Sequence, residues 1–137
     1  MTGPLQPSDL MTKAERACAS AQLLIDSGDV DGACNRAYYA MFDAARAALL
    51  ASNPQASSDI ARTHGGLISA FSVHLVKPGI VSPDLGRALN RAEEIRLVAD
   101  YLGESIEPDA ARMLVKQAAA FVAAMRQVLS PSTGPSA

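Results

Sequence analysis

An alanine-rich segment between Gly28 and about Ser52 places small apolar residues at the three- and four-residue spacing of an α-helix. Asp29 stands where it can cap the start of that helix. Alanine favours helices, whereas strands favour β-branched and aromatic residues, and aromatic residues make up only 4% of the chain. The segment therefore predicts one long helix within an all-α protein.

Four further helices are predicted from apolar spacing and from start and stop signals. They are expected over residues 8–27, 64–77, 83–102 and 108–129, with Ser8 or Asp9, Thr63 and Ser82 as caps, and with Gly103 ending the fourth. The short connection at Gly28 makes the first two helices antiparallel neighbours. The predicted fold is an antiparallel up-and-down bundle of about five helices.

The chain length of 137 residues is that of one domain. We expect a flexible N-terminal segment over residues 1–7, one helical domain over residues 8–129, and a disordered tail over residues 130–137. A polar break rich in serine is expected over residues 53–62. No secretory signal and no membrane span is recognisable, so a cytoplasmic location is predicted.

Composition argues against several kinds of site. A formal net charge of −2 excludes a global basic field, so RNA could be bound only through a local patch. Cys18 and Cys34 lack metal-ligand spacing and are interpreted as small hydrophobic residues. We therefore expect neither a metal nor a cofactor.

The second helix carries a polar face opposite its apolar side, within about a hundred degrees on a helical wheel. Its members are Asn35, Arg36, Tyr39, Asp43 and Arg46, whereas Tyr38 falls with the apolar side. One interpretation is a solvated face with a weak Asp43–Arg46 ion pair. The other is a face that binds a partner or an RNA phosphate, with Arg36 as the anion-binding fork.

Arg96 and the two histidines are the other polar residues that lie near apolar helix faces. Arg96 lies near the edge of the apolar stripe of the fourth helix, one turn from Glu93 and Asp100, which favours structural pairing with these carboxylates. His64 and His74 fall on the apolar side of the third helix. Each is interpreted first as a hydrogen-bonded core histidine, although His64 could act as a base in its neutral form.

Three blocks of sequence resemble bacterial HEPN-domain proteins, in which an Arg-Ala-Tyr-Tyr-Ala block marks the second helix. The blocks are Gly28–Phe42, Thr63–Ile68 and Leu89–Tyr101, and their order matches over roughly residues 10–128. The resemblance implies a helical bundle that is usually a homodimer. It also implies a frequent genetic partner, a small nucleotidyltransferase, in toxin–antitoxin-type pairs.

Active proteins of that family are metal-independent ribonucleases whose site is an arginine followed four to six residues later by histidine. Here, Arg36 is followed at the seventh position by Asp43, and Arg96 is followed by Asp100 and Tyr101, so the motif is degenerate. The leading hypothesis is a dimerising module, in a toxin–antitoxin-like context, that binds RNA, a nucleotide or a nucleotidyltransferase. Its candidate binding residues are Asn35, Arg36, Tyr39, Arg46, Asp100 and Tyr101.

Two alternatives remain open. The first is an active metal-independent ribonuclease toxin with a non-standard site, built from the candidate catalytic residues Arg36, Tyr39, Asp43, His64 and Arg96. The second is a structural oligomeric bundle with no ligand.

Overall fold

The computed structural model describes residues 6–52, 63–102 and 106–130, and these residues form five helices and no strand. The helices are α1 (Pro7–Asp26), α2 (Val30–Ser52), α3 (His64–Phe71), α4 (Pro83–Leu97) and α5 (Pro108–Leu129). The prediction of an all-α antiparallel bundle is confirmed. The predicted flexible segment, apart from Gln6 and Pro7, lies outside the described residues, as do the polar break, the Gly103 stop and the tail beyond Ser130.

Helix α2 lies at the centre of the bundle and packs against each of the other four helices. Most of its side chains are buried, and many of them are alanine: Ala33, Ala37, Ala40, Ala44, Ala45, Ala47 and Ala48. Small side chains let neighbouring helices approach closely, since the interaxial distance depends on the side chains at the contact. A central position also means that no side of α2 is left wholly to solvent.

Three of the predicted helix caps are confirmed by hydrogen bonds. The Asp29 carboxylate accepts from the Gly32 N–H at 2.9 Å, and the Thr63 hydroxyl accepts from the Gly66 N–H at 2.9 Å. The Ser82 hydroxyl similarly satisfies an N–H in the first turn of α4, at 3.0 Å. These residues fix where α2, α3 and α4 begin.

The predicted start of α1 is wrong. Its N-cap is Gln6, which forms no side-chain cap hydrogen bond, and Pro7 occupies the first helical position. Proline suits this position because its fixed φ matches the helix and it lacks an N–H that would go unpaired. Ser8 and Asp9 consequently lie inside the first turn instead of capping it.

The predicted third and fourth helices change geometry near their ends. Regular α-helix stops at Phe71 and at Leu97, and each helix continues as a π-helical turn, over Ser72–Val76 and Val98–Leu102. Apolar spacing locates the helical stretch but does not distinguish an α-turn from a π-turn. Asp100 lies in the second of these π-turns.

The two cysteines behave as small hydrophobic residues, as predicted. Both are free thiols, with Cys34 fully buried and Cys18 half-buried. Burial raises the pKa of Cys34 to about 11, and the nearby Asp31 carboxylate adds to this effect. Within the described part of the chain, no helix combines the length and apolar character needed to span a membrane.

Candidate functional site

A polar network joins α2, α3 and α4. The Tyr38 hydroxyl is hydrogen-bonded to Nδ1 of His64 and lies 3.2 Å from Oε2 of Glu93. Arg96 donates to Glu93 at 3.3 Å and to Asp100 at 3.1 Å. The sequence therefore brings together, through Tyr38 and Glu93, residues from three separate helices.

The hydrogen-bonding capacity of these groups fixes their roles. A phenol has one proton to donate, and an ionised carboxylate can only accept. If Tyr38 donates to Glu93, its oxygen must accept from His64, which places the imidazole proton on Nδ1. We assign this tautomer to the neutral ring, with the lone pair on Nε2.

Arg96 is the anchor of the network. Its side chain is only 7% exposed, and its guanidinium carbon lies 5.0 Å from the centroid of the Tyr38 ring. The expected pairing with Glu93 and Asp100 is confirmed by the two ion pairs. Arg96 is one of the buried residues of α4, together with Leu89 and Ala92.

Tyr38 was expected on the apolar side of α2, and its ring is indeed fully buried. No local pattern in the sequence indicates that its hydroxyl meets two polar partners. Burial, together with the Glu93 carboxylate, raises the pKa of Tyr38 well above that of an exposed tyrosine. The phenol consequently stays protonated and can act as a donor at neutral pH.

His64 is more accessible than the rest of the network, with 36% of its side chain exposed. It is the first residue of α3, directly after the Thr63 cap. Its ring centroid lies 4.9 Å from that of Phe42 and 6.0 Å from that of Tyr39. His64 is thus half-buried and hydrogen-bonded. The two aromatic rings that it contacts also line a cavity between α1 and α2.

That cavity, of about 360 Å³, lies between α1 and α2. It is lined by Lys13, Arg16, Ala17, Arg36, Tyr39, Phe42, Asp43 and Arg46, and we call it the basic cleft. Four of these side chains are cations and one is a carboxylate. Lys13 and Arg16 were missed from the sequence, although their three-residue spacing places them on one side of α1.

Asp43 is the single carboxylate of the basic cleft, and it is buried, with 8% of the residue exposed. Burial raises its pKa, while the positive charges of Lys13, Arg46 and Arg36 act in the opposite direction. Arg46 Nη1 lies 3.9 Å from Asp43 Oδ1, which is an ion pair but is too long for a hydrogen bond. The Asp43–Arg46 ion pair expected on this face is present, and Arg36 is exposed, but Asp43 itself is buried in the cleft between α1 and α2.

The predicted site residues divide between the two regions. Arg36, Tyr39, Asp43 and Arg46 line the basic cleft, whereas Arg96 and Asp100 belong to the polar network. Asn35 is half-buried but does not line the cleft. The Tyr101 side chain lies outside the described part of the structure, and within that part no group of histidine, cysteine and acidic residues is arranged to hold a metal ion.

The fold and the two sites define a small helical bundle with a basic cleft beside a polar network. The chain belongs to the HEPN domain family, whose model matches residues 7–128. It is similar to a UPF0332 protein of Gloeobacter violaceus, with 37% identity over 119 residues, covering 85% of this chain and 90% of the relative.

Two further relatives come from other organisms. One, from Methanocaldococcus jannaschii, is named as a candidate toxin and is 28% identical over 120 residues, covering 88% of this chain and 86% of the relative. The other is a UPF0332 protein of Thermotoga maritima, 37% identical over 95 residues, covering 69% of this chain and 67% of the relative. The family match therefore extends over most of the chain.

Proposed function

We propose that this HEPN protein is a non-catalytic module that binds RNA through the basic cleft. The observation that carries the proposal is the convergence of Lys13, Arg16, Arg36 and Arg46 on one cavity that holds a single carboxylate. The chain as a whole carries a net charge of −2, so this is a local concentration of positive charge. A local patch of this kind is what binding to phosphates requires of an otherwise acidic protein.

The side chains of the cleft suit a phosphate in different ways. Lys13, Arg16 and Arg36 are exposed, and arginine can bind phosphate oxygens in a two-pronged fashion. Arg96 is unsuited to this role because Glu93 and Asp100 already neutralise it. The cleft, and not the polar network, is therefore the place where we expect a phosphate to bind.

Binding can be tested with a fluorescently labelled single-stranded RNA, by anisotropy at several salt concentrations. We expect Lys13→Gln combined with Arg36→Gln to weaken binding by about tenfold or more and to reduce its salt dependence. Arg112→Gln removes a similar charge from α5, which does not line the cleft, and serves as the matched control. Equal weakening by the control would show that only the overall charge of the protein matters. It would refute the proposal that the cleft is the RNA-binding site.

The cellular context is a second part of the proposal. We propose that the protein is a cytoplasmic homodimer that pairs with a small nucleotidyltransferase in a toxin–antitoxin-like system, as the family resemblance implies. Relatives named as candidate toxins support this context. Co-expression with the product of the adjacent gene, followed by size-exclusion chromatography with light scattering, tests both points, and a monomer that binds no such product would refute them.

A metal-independent ribonuclease is the second candidate function, and the orientation of His64 favours it. The chain from Glu93 through Tyr38 holds the imidazole with Nε2 as the basic nitrogen, next to two rings that line the cleft. Nε2 could take the proton of a ribose 2′-hydroxyl, whose oxygen then bonds to the adjacent phosphorus as the bond to the 5′-oxygen breaks, and the leaving 5′-oxygen takes a proton from water. Arg36 would stabilise the charge on phosphorus, and Arg96 would position Tyr38.

This second candidate is tested by incubating RNA with the protein in EDTA. Loss of cleavage in His64→Ala and in an Arg36→Ala, Arg96→Ala double variant, with Arg112→Gln unaffected, would establish it. If RNA is bound but not cleaved, the proposal of a non-catalytic RNA-binding module stands. If RNA is neither bound nor cleaved, the remaining hypothesis is a structural oligomeric bundle.

A further inference from the structure

Two polar groups in the basic cleft lack hydrogen-bond partners within the described residues. Among the described residues the Asp43 carboxylate, whose side chain is 12% exposed, forms a 3.9 Å ion pair with Arg46 but no hydrogen bond, and Nε of Arg46 is buried without an acceptor. Buried polar groups in proteins are almost always hydrogen-bonded, either to protein or to another molecule. The cavity therefore contains an acceptor, the Asp43 carboxylate, without a donor, and a donor, Nε of Arg46, without an acceptor. The cavity is large enough to hold a ligand.

A ligand that satisfies both groups must offer an anion and a hydrogen-bond donor. The anion would lie toward Arg46, Arg36 and the two cations of α1. The donor would lie toward Asp43, because a carboxylate repels phosphate oxygens but accepts readily from a hydroxyl. A phosphate and a hydroxyl on adjoining groups are the chemistry of a ribose phosphate.

The apolar part of the cleft points to a base beside this ribose phosphate. Tyr39 and Phe42 line the cleft, and their rings meet edge to face with centroids 6.3 Å apart. Aromatic side chains of this kind stack on unpaired bases. A volume of about 360 Å³ is at the small end of ligand pockets and suits a single nucleotide unit.

We propose that the basic cleft binds one ribonucleotide unit and that Asp43 recognises it by accepting a hydrogen bond from the ribose 2′-hydroxyl. The inference rests on the proposed function, because it names the part of RNA that the cleft reads. The 2′-hydroxyl is the group by which a protein tells RNA from DNA. Asp43 is then a specificity residue, one that lowers affinity for phosphate in general while selecting ribose.

Three short oligoadenylates separate recognition of the 2′-hydroxyl from recognition of the base or of charge: a ribo-, a deoxyribo- and a 2′-O-methyl form. All three carry the same bases and phosphates, and the 2′-O-methyl form keeps an RNA-like sugar without the donor. We expect the protein to prefer the ribo form by about tenfold or more, the worth of a hydrogen bond to a charged group. AMP and 2′-deoxy-AMP, used as competitors, show whether a free nucleotide satisfies the same chemistry.

Two substitutions at the same position complete the test. Asp43→Asn keeps an oxygen acceptor in nearly the same shape, so it should bind all three oligomers more tightly and retain most of the preference. Asp43→Leu lacks an acceptor and should bind the three forms equally. Circular dichroism melting checks that each variant folds, and the Asn variant supplies the answer if the Leu variant does not fold.

The outcomes distinguish the inference from the function on which it rests. RNA binding with no preference for the ribo form, or with a preference that survives Asp43→Leu, would overturn the inference and leave the RNA-binding module standing. Equal binding by Asp43→Leu with a preference in the wild-type protein would support the inference. No binding of any oligomer would overturn the proposed function and the inference together.

Discussion

The hydroxyl of Tyr38 in α2 forms a hydrogen bond with Nδ1 of His64, the first residue of α3. This bond connects the central helix to a helix that follows a long connection, and with the Tyr38 proton donated to Glu93 it assigns the imidazole proton to Nδ1 of His64. Since Tyr38 also lies 3.2 Å from Glu93, one phenol connects three helices. The position of His64 beside the cleft therefore depends on a residue that the cleft does not contain.

Replacing Tyr38 with phenylalanine should keep the packing of the ring and remove both hydrogen bonds. We expect the free energy of unfolding to fall by about 1–3 kcal/mol, since a buried partner is left unpaired. Nitrogen NMR of His64 should show loss of the single Nδ1–H tautomer. Tyr39→Phe is the control, because Tyr39 forms no hydrogen bond among the described residues, and an equal loss of stability there would contradict the assignment.

Arg96 should be far more important for stability than an arginine on the surface. Removing one partner of a buried ion pair leaves an uncompensated charge, so Arg96→Met should lower the free energy of unfolding in urea by about 3 kcal/mol. Arg112→Met removes an exposed arginine and should change it by less than about 0.5 kcal/mol. Similar values for both variants would mean that the network around Arg96 contributes little.

Features set by neighbours in sequence were predictable, and features set by distant helices were not. The caps Asp29, Thr63 and Ser82 act within their own first turns, so the local pattern identified them. The helical-wheel position of Tyr38 on the apolar side of α2 also correctly predicted that its ring is buried. Its hydroxyl meets Glu93, 55 residues along the chain, and no local pattern contains that contact.

The basic cleft was also only partly predictable from the sequence. The wheel grouped Arg36, Tyr39, Asp43 and Arg46 correctly, because their spacing is a property of α2 alone. How much of that group is buried depends on α1, which forms the other side of the cleft and adds Lys13 and Arg16. The burial of Asp43 therefore could not be predicted from the sequence of α2 alone.

The start of α3 offers a test of a local feature that positions His64. Thr63→Ala removes the acceptor for the Gly66 N–H and should lower the free energy of unfolding by about 1 kcal/mol. Ser8→Ala is the control, because Ser8 lies inside the first turn of α1 and does not cap it. A comparable loss at Ser8 would restore that residue as a cap and contradict the structure.

Asp43 should make stability fall as pH rises through the acidic range. Its pKa is raised in the folded protein by burial, so between the unfolded and the folded pKa the native state holds more protons than the unfolded state. Ionisation of Asp43 thus opposes folding at neutral pH, and the cost disappears once pH falls below the ordinary pKa of an aspartate. Asp43→Asn should consequently raise the melting temperature at pH 7 and give no gain near pH 3. Asp109→Asn, at an exposed carboxylate, should show no such dependence. An Asp43→Asn gain that is constant with pH would show that shape, and not the buried charge, accounts for the difference.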